Sequence, residues 1–598
     1  MGKNKTKKYN TITLLIALFK RTSKKRKLQI LILFILILLS SFAEMFSLTL
    51  IIPFLTVISY PSKLLEYSLI ENIYKSLNFE TPDKLIFPIT FIFCLAIILA
   101  ASLRLFTVWI NGKLAATIGS DFGSEAYSKS LNQSYEDYIS TSSSEIISAL
   151  SIHIDNIISF IDFVLSILSS FFILIGLIIT LFVINTKVAL SIGLFMGIFY
   201  CLIGSSTEKR LVKNSRMISK RYNENTKIIQ EGYGSFRDII LDKSQSFYLN
   251  LFNSSYYQYR NLRAENVLLG VFPKFIIEAF AICLISLVSI SLISTNEGIN
   301  DALPILGAFA LGAQRILPAI QNIYSSLSGI RGGKSSVEII VSLLDEETSK
   351  KEKKISKKHF EFSKNITFEN ISYKYSDKSN LILKEINFEI KKGERVGIIG
   401  KTGSGKSTTI DLLMGLLSPT SGKILVDDKE LNFKKDRSFV SEWQSQIGHV
   451  PQSIYLTDRS IAENIAFNLP KEKINFKRLK LAAERAQINQ FIESIPNKYL
   501  SSVGERGIQL SGGQQQRIGI ARALYKGASI LIFDEATSAL DDITENKLMD
   551  TIDNLSNYIT IIMIAHRLTT IKNCDKLIKL ENGKVSAVGT PKEVFKLN

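Results

Sequence analysis

The sequence predicts an α-helical domain of six membrane spans followed by an α/β P-loop domain. Three observations carry that expectation. Long apolar runs are confined to the first half of the 598 residues, short strands alternate with amphipathic helices after residue 365, and the glycine-rich GKTGSGKS follows one of those strands. The order, membrane part then soluble part, fits a chain with room for several domains.

Residues 1–27 form a basic segment with ten Lys or Arg and no acid, and they run straight into an apolar stretch. Under the positive-inside rule this places the N-terminus in the cytoplasm. The apolar run is too long, and too poor in small residues, for a cleaved signal peptide. Across the chain, Lys and Arg outnumber Asp and Glu by 72 to 54, a net charge of +18. Because the excess clusters at the flanks of membrane spans, it predicts membrane lipid as a neighbour and no nucleic-acid partner.

A bilayer-crossing helix needs ~20 apolar residues. The runs Leu28–Ile58, Leu85–Ile110, Phe163–Ile184, Val188–Ile203, Val267–Ile293 and Ala302–Ala319 qualify as spans of a transmembrane domain over 28–344. Links expected outside, Ser59–Lys84, Asn185–Lys187 and Ser294–Asp301, hold only four basic residues. Links expected inside, 111–162 and 204–266, are basic and helical in texture, so the spans should continue as helices into the cytoplasm. Within the first outer link, Leu65, Leu69, Ile73 and Leu77 make a helical stripe suited to the membrane surface or to packing on the spans. Cys94, Cys201, Cys283 and Cys574 lack CxxC spacing and are expected to be buried, inert thiols.

Residues 345–365 are charged and read as a linker, and 366–598 as the α/β domain. Gly400, Lys401, Thr402, Gly403, Ser404, Gly405, Lys406 and Ser407 complete GxxxxGKS and lead into a helix through Thr408. Glycines let backbone N–H groups curl round phosphate, Lys406 can reach the outer phosphates, and Ser407 can ligate Mg²⁺. A second strand, ILIFDE, ends in Asp534, suited to Mg²⁺ through water, and Glu535, placed to polarise an attacking water. A third, ITIIMIAH, delivers His566 at its carboxyl end, the edge where open parallel sheets bind ligands. LSGGQ, with Ser511, Gly512, Gly513 and Gln514, opens another helix. A second phosphate cradle on one domain makes most sense if it serves the nucleotide of a partner copy.

The combination of GKTGSGKS, LSGGQ and ILIFDE resembles the nucleotide-binding domain of ABC transporters, and six spans ahead of it resemble the exporter half-transporter layout. The resemblance implies the ABC exporter fold, ATP and Mg²⁺ as cofactors, ATP hydrolysis, a multi-pass place in the bacterial inner membrane, and a cytoplasmic nucleotide-binding domain. It also assigns residues. Tyr375 would stack on adenine, Gln452 would touch Mg²⁺, Asp541 would be the D-loop acid and His566 the switch histidine on the γ-phosphate. The segments near Tyr135–Thr141 and Glu231–Asp238 would be coupling helices. VGERG, 503–507, resembles the exporter X-loop, with Ser502 where an acid is common. Half the usual spans in one chain, and a site keeping both Glu535 and His566, imply a homodimer.

Three cations lie within spans: Arg104, Lys274 and Arg315. Counting ~1.5 Å per residue puts Arg315 about 20 Å below the outer end of its helix, and the other two at the inner-leaflet level. They are expected to line a basic substrate cavity, with Glu44 and Glu278 at similar depth as possible neutralising partners. SFAEMFSLTLIIPFLTVIS, VFPKFIIEAFAI and GAQRILPAIQNIYSSL resemble a narrower group of exporters that moves lipid-linked saccharides, implying an anionic lipid-linked substrate and a flippase. Export of peptides, drugs or phospholipids stays open, as more remotely do an ATP-gated channel and a non-transport ATPase.

Overall fold

The computed structural model describes residues 10–59, 81–184, 186–294, 299–345, 360–376, 379–432, 435–535, 542–553, 559–564 and 571–596. The chain forms two compact units, 1–133 with 138–349, and 134–137 with 350–598.

The first unit is helical. It opens with α1 (Thr11–Arg21), followed by α2 (Lys24–Thr49) and α3 (Ile51–Ser59). The first expected span is thus two helices, broken at Leu50. The cause is local: Pro53 has no N–H to give the Thr49 carbonyl, and its ring crowds that carbonyl. Then come α4 (Ile86–Leu131), α5 (Tyr135–Ser140), α6 (Ile154–Ile184), α7 (Thr186–Gly234), α8 (Gln245–Ser294) and α9 (Ile299–Asp345). A short helix at Ser143–Ser148 and a single π turn at Ala149–His153 join α5 to α6. At 46, 49, 50 and 47 residues, α4, α7, α8 and α9 are far longer than a bilayer requires.

Among the described residues, three helical stretches are long and apolar enough to cross a membrane: Lys24–Ile58, Pro82–Leu131 and Ser143–Val183. Ile98 and Leu105 on α4 are 63% and 72% exposed. A helix with that much apolar surface turned outward needs lipid as its solvent. The inner seam is apolar as well, where Leu33, Ile37, Phe122, Ile157, Phe160, Val337 and Ile340 form one core.

The basic N-terminal segment is not a free arm. In α1, Leu14 and Leu18 are buried in that core, Arg21 pairs with Glu125 and Asp345, and Arg26 forms a fork with Asp121. The expectation of buried thiols holds for Cys574, whereas Cys94 and Cys283 lie exposed on their helices. Most of the first outer link, with its predicted stripe, and most of the linker lie outside the described residues.

The second unit contains two sheets. Antiparallel β1 (Asn365–Tyr373), β2 (Leu383–Lys391), β4 (Ser421–Val426) and β5 (Lys429–Glu430) run in the order β2-β1-β4-β5. The other holds β3 (Arg395–Ile399), β6 (Ile447–Val450), β7 (Ile530–Asp534), β8 (Thr560–Ile564), β9 (Lys576–Glu581) and β10 (Lys584–Gly589), ordered β10-β9-β3-β8-β7-β6. The strands β9, β3, β8, β7 and β6 are mutually parallel. Strands β7 and β8 are buried almost throughout, as a sheet covered on both faces requires. Segment 134–137 belongs to this unit, where Glu136 accepts the Ser418 N–H at 3.0 Å.

Candidate functional site

Parallel pairing brings the carboxyl ends of β3, β6, β7 and β8 to one edge. Asp534 stands opposite Ile564, and Ile564 opposite Ile398, so the loop after β3 and the acids of β7 are level with each other. Gln452 lies two residues past the end of β6, and its Nε2 donates to Glu535 Oε2 at 2.9 Å. Four sequence-distant segments thereby meet at one site. His566 and Asp541 lie outside the described residues.

The loop 400–407 works by backbone shape. Gly400, Gly403 and Gly405 have φ of 153°, 81° and 101°, which side chains rarely tolerate. A Cβ on Gly405 would stand 2.5 Å from Leu383 Cδ2. Helix α10 (Lys406–Leu413) begins there, aiming its N-terminal N–H groups at the loop. Lys406 Nζ donates to the carbonyls of Gly400 at 2.8 Å and Lys401 at 3.2 Å, bending the loop round the ammonium. Ser404 is buried and its Oγ has no partner among the described residues, a polar atom in a cradle suited to a phosphate oxygen.

Burial pulls the Lys406 ammonium below the ordinary lysine value, with Glu535 and Asp534 opposing. Burial pushes Asp534 above the ordinary carboxylate range, helped by Glu535 and opposed by Lys406. Two acids against one cation leave a negative excess that suits a divalent cation. Glu535 sits at φ 50°, with its N–H held by the Ile564 carbonyl at 3.1 Å. A glutamate in the left-handed region is strained backbone at the reacting edge. Ser407, the Gln452 amide oxygen and Asp534 are hard oxygen donors that suit Mg²⁺. Tyr375 is half-exposed, its OH 3.3 Å from Thr408 Oγ1 and its ring edge-on to Tyr373 at 5.1 Å.

Helix α11 (Gly512–Lys526) carries the second cradle. Ser511 caps it through the Gln514 N–H, and the Gln514 side chain accepts from the Ser511 N–H at 2.8 Å, closing a capping box. Gln515 went unnoticed in the sequence. Its Nε2 donates to the Gly507 carbonyl at 2.9 Å and ties this helix to the loop 503–507. Only the run of three glutamines after SGG hinted at it. Ser502 reaches Asp458 at 3.3 Å.

In the first unit, Arg104 and Arg315 meet on one acid. Glu44, 5% exposed, takes Arg315 Nη1 on Oε2 at 2.6 Å and has Arg104 Nη1 3.6 Å from Oε1. Arg315 also donates to Ser47 Oγ at 2.6 Å. The negative partner of Arg315 is therefore built into the chain, and it is Glu44, one of the two acids expected at its depth. Of the three cations expected in the cavity, two, Arg104 and Arg315, are brought to one acid. Lys274 is exposed, with its Nζ 6.0 Å from the centre of the Phe275 ring, and Glu278, also exposed, pairs with neither arginine among the described residues.

The ABC transporter transmembrane region family matches residues 28–301, and the ABC transporter family matches 383–538. An ATP-dependent lipid A-core flippase of Francisella tularensis is 29% identical over 496 residues, covering 81% of this chain and 79% of that protein. The alpha-hemolysin translocation ATP-binding protein HlyB of Escherichia coli O157:H7 is 43% identical over 236 residues, 39% of this chain but only 32% of its own length. Among solved structures, a bacterial Atm1-family ABC exporter with ATP bound superposes with a TM-score of 0.78 at 20% identity, over 96% of both chains.

Proposed function

This chain is an ABC transporter of the exporter type, hydrolysing ATP to drive transport, and from that premise we propose that two copies form a flippase for an anionic, lipid-linked saccharide. In this reading the protein spans the bacterial inner membrane, with its N-terminus and nucleotide-binding domain in the cytoplasm. ATP lies between the loop 400–407 of one copy and Ser511, Gly512, Gly513 and Gln514 of the other. Tyr375 stacks on the base, Lys401, Thr402 and Thr408 line the phosphates, and Lys406 neutralises them. Glu535 orients the attacking water and takes its proton, with Gln452 fixing the carboxylate. His566 and Asp541 complete the seam between copies. Ser407 and Gln452 would hold Mg²⁺, with Asp534 through water, and the ion would offset phosphate charge.

The observation that carries the substrate class is the triad of Arg104, Glu44 and Arg315, in which two arginines share one carboxylate within the membrane unit. One positive charge is left over, a costly arrangement in lipid that an anionic head group would relieve. The relatives named ATP-dependent lipid A-core flippases support a lipid-borne substrate. The test is ATPase stimulation of the full chain in nanodiscs by a polyprenyl pyrophosphate against phosphatidylcholine. Arg315→Glu should abolish the response to the pyrophosphate. An unchanged response in that variant would remove the anionic-lipid reading.

A further inference from the structure

Within the first unit, residues 152–163, 215–222, 259–271 and 325–336 enclose a cavity of about 380 Å³. Its wall is mixed: Ile152, Phe163, Ile218, Val267 and Val271 supply apolar surface, and polar groups are set between them. Six serines line it, together with two asparagines and two tyrosines, and Arg263 is the one Asp, Glu, Lys or Arg among the described lining residues. Both hydrogen-bonding senses are on offer. Asn156 Nδ2 donates to Ser336 Oγ at 2.8 Å, so its carbonyl remains to accept. Asn266 Oδ1 accepts from Asn214 at 3.0 Å, so its N–H groups remain to donate. Ser328 is buried on this wall and its Oγ has no partner among the described residues. Tyr222 and Tyr259 also line it, their ring centres 5.8 Å apart.

Sugars match such a wall: each hydroxyl donates and accepts, and the C–H faces of the ring lie on aromatic surfaces. We propose that this cavity binds the hydroxyl-rich saccharide head group of the transported lipid. The proposal rests on the lipid-linked saccharide reading and assigns the sugar a site separate from Arg104 and Arg315. A pocket of this volume is large enough for a small ligand, and its polar lining should reject analogues that lack the hydroxyls.

A Cβ built on Gly333, which lines the cavity, meets no atom within 4 Å, so the first side-chain carbon is accommodated there. The experiment measures ATPase stimulation of the full chain in phosphatidylcholine nanodiscs. Undecaprenyl pyrophosphate is compared with the same lipid bearing N-acetylglucosamine, in wild type, Gly333→Ala, Gly333→Leu and Ser325→Leu. Wild type and Gly333→Ala should prefer the sugar-bearing lipid. Gly333→Leu, with Ser325→Leu as the second filling variant from another turn, should lose that preference by about tenfold in half-maximal concentration. A preference kept in both leucine variants, or absent from wild type while both lipids stimulate, overturns the cavity alone. If neither lipid stimulates wild type, the wider substrate reading falls and takes the cavity with it.

Discussion

Glu535 is where chemistry and backbone strain coincide. Its positive φ and its bond from Gln452 hold the carboxylate at the edge where a γ-phosphate would lie. Glu535→Gln keeps shape and removes the base, so ATP turnover by the full chain should fall about 10²–10⁴-fold while ATP binding persists. Phosphate release together with labelled-ATP retention measures both. Asp411 offers a separate check. Burial raises its pKa to about 6, with Asp534 adding to the effect, so the folded domain holds a proton that the unfolded chain releases near the ordinary aspartate value. Stability from this group is therefore complete below about pH 4 and is lost as pH rises towards 6. Asp411→Asn should flatten the melting temperature between those limits, as read by scanning calorimetry. Gln452, Asp534 and Glu535 were all legible as sequence motifs. Their meeting was legible only in outline, because strand order decides which strand ends become neighbours.

Among the elements, the turn into α10 is tightly constrained. Gly405 combines φ 101° with Leu383 beneath it, so Gly405→Ala should cost about 1–3 kcal/mol of local strain and weaken ATP binding together with it. Titration with a fluorescent ATP analogue, alongside thermal melting, tests this. The glycines were readable as a loop because phosphate cradles demand them. That Leu383 of a different sheet closes the space below was not readable, since it follows from packing of the two sheets. The break between α2 and α3 could have been read from Pro53, yet the hydropathy of Leu28–Ile58 runs through it unchanged. Helix α1 is apolar at Ile12, Leu14, Leu15, Ile16, Leu18 and Phe19, but it is too short to cross a membrane and the burial of Leu14 and Leu18 depends on helices about a hundred or more residues away.

At the scale of the molecule, the proposed nucleotide sites are shared between copies, and this has a distinctive consequence. A Glu535→Gln chain spoils the site built on its own phosphate loop, whereas a Ser511→Arg chain spoils the site of its partner. Each homodimer should be nearly inactive, yet an equal mixture should recover about a quarter of wild-type ATPase, since half the dimers keep one sound site. Coexpression with two affinity tags and tandem purification would isolate the mixed dimer. Activity no higher than that of the two parents would exclude shared sites.

Sequence alone determined the class of this protein and most of its phosphate chemistry. Apolar length, glycine spacing and strand-end acids are local patterns, and their physical demands hold wherever the chain goes. Tertiary structure decided which groups neutralise one another. Glu44, Arg104 and Arg315 are separated by as many as 271 residues, and only helix packing brings two cations to one buried acid. The cavity has the same origin, because four helical segments contribute one to three serines or asparagines each, and no single helix shows a motif. Charge pairing and enclosure act over a few ångströms in space, and distance along the chain carries no record of that.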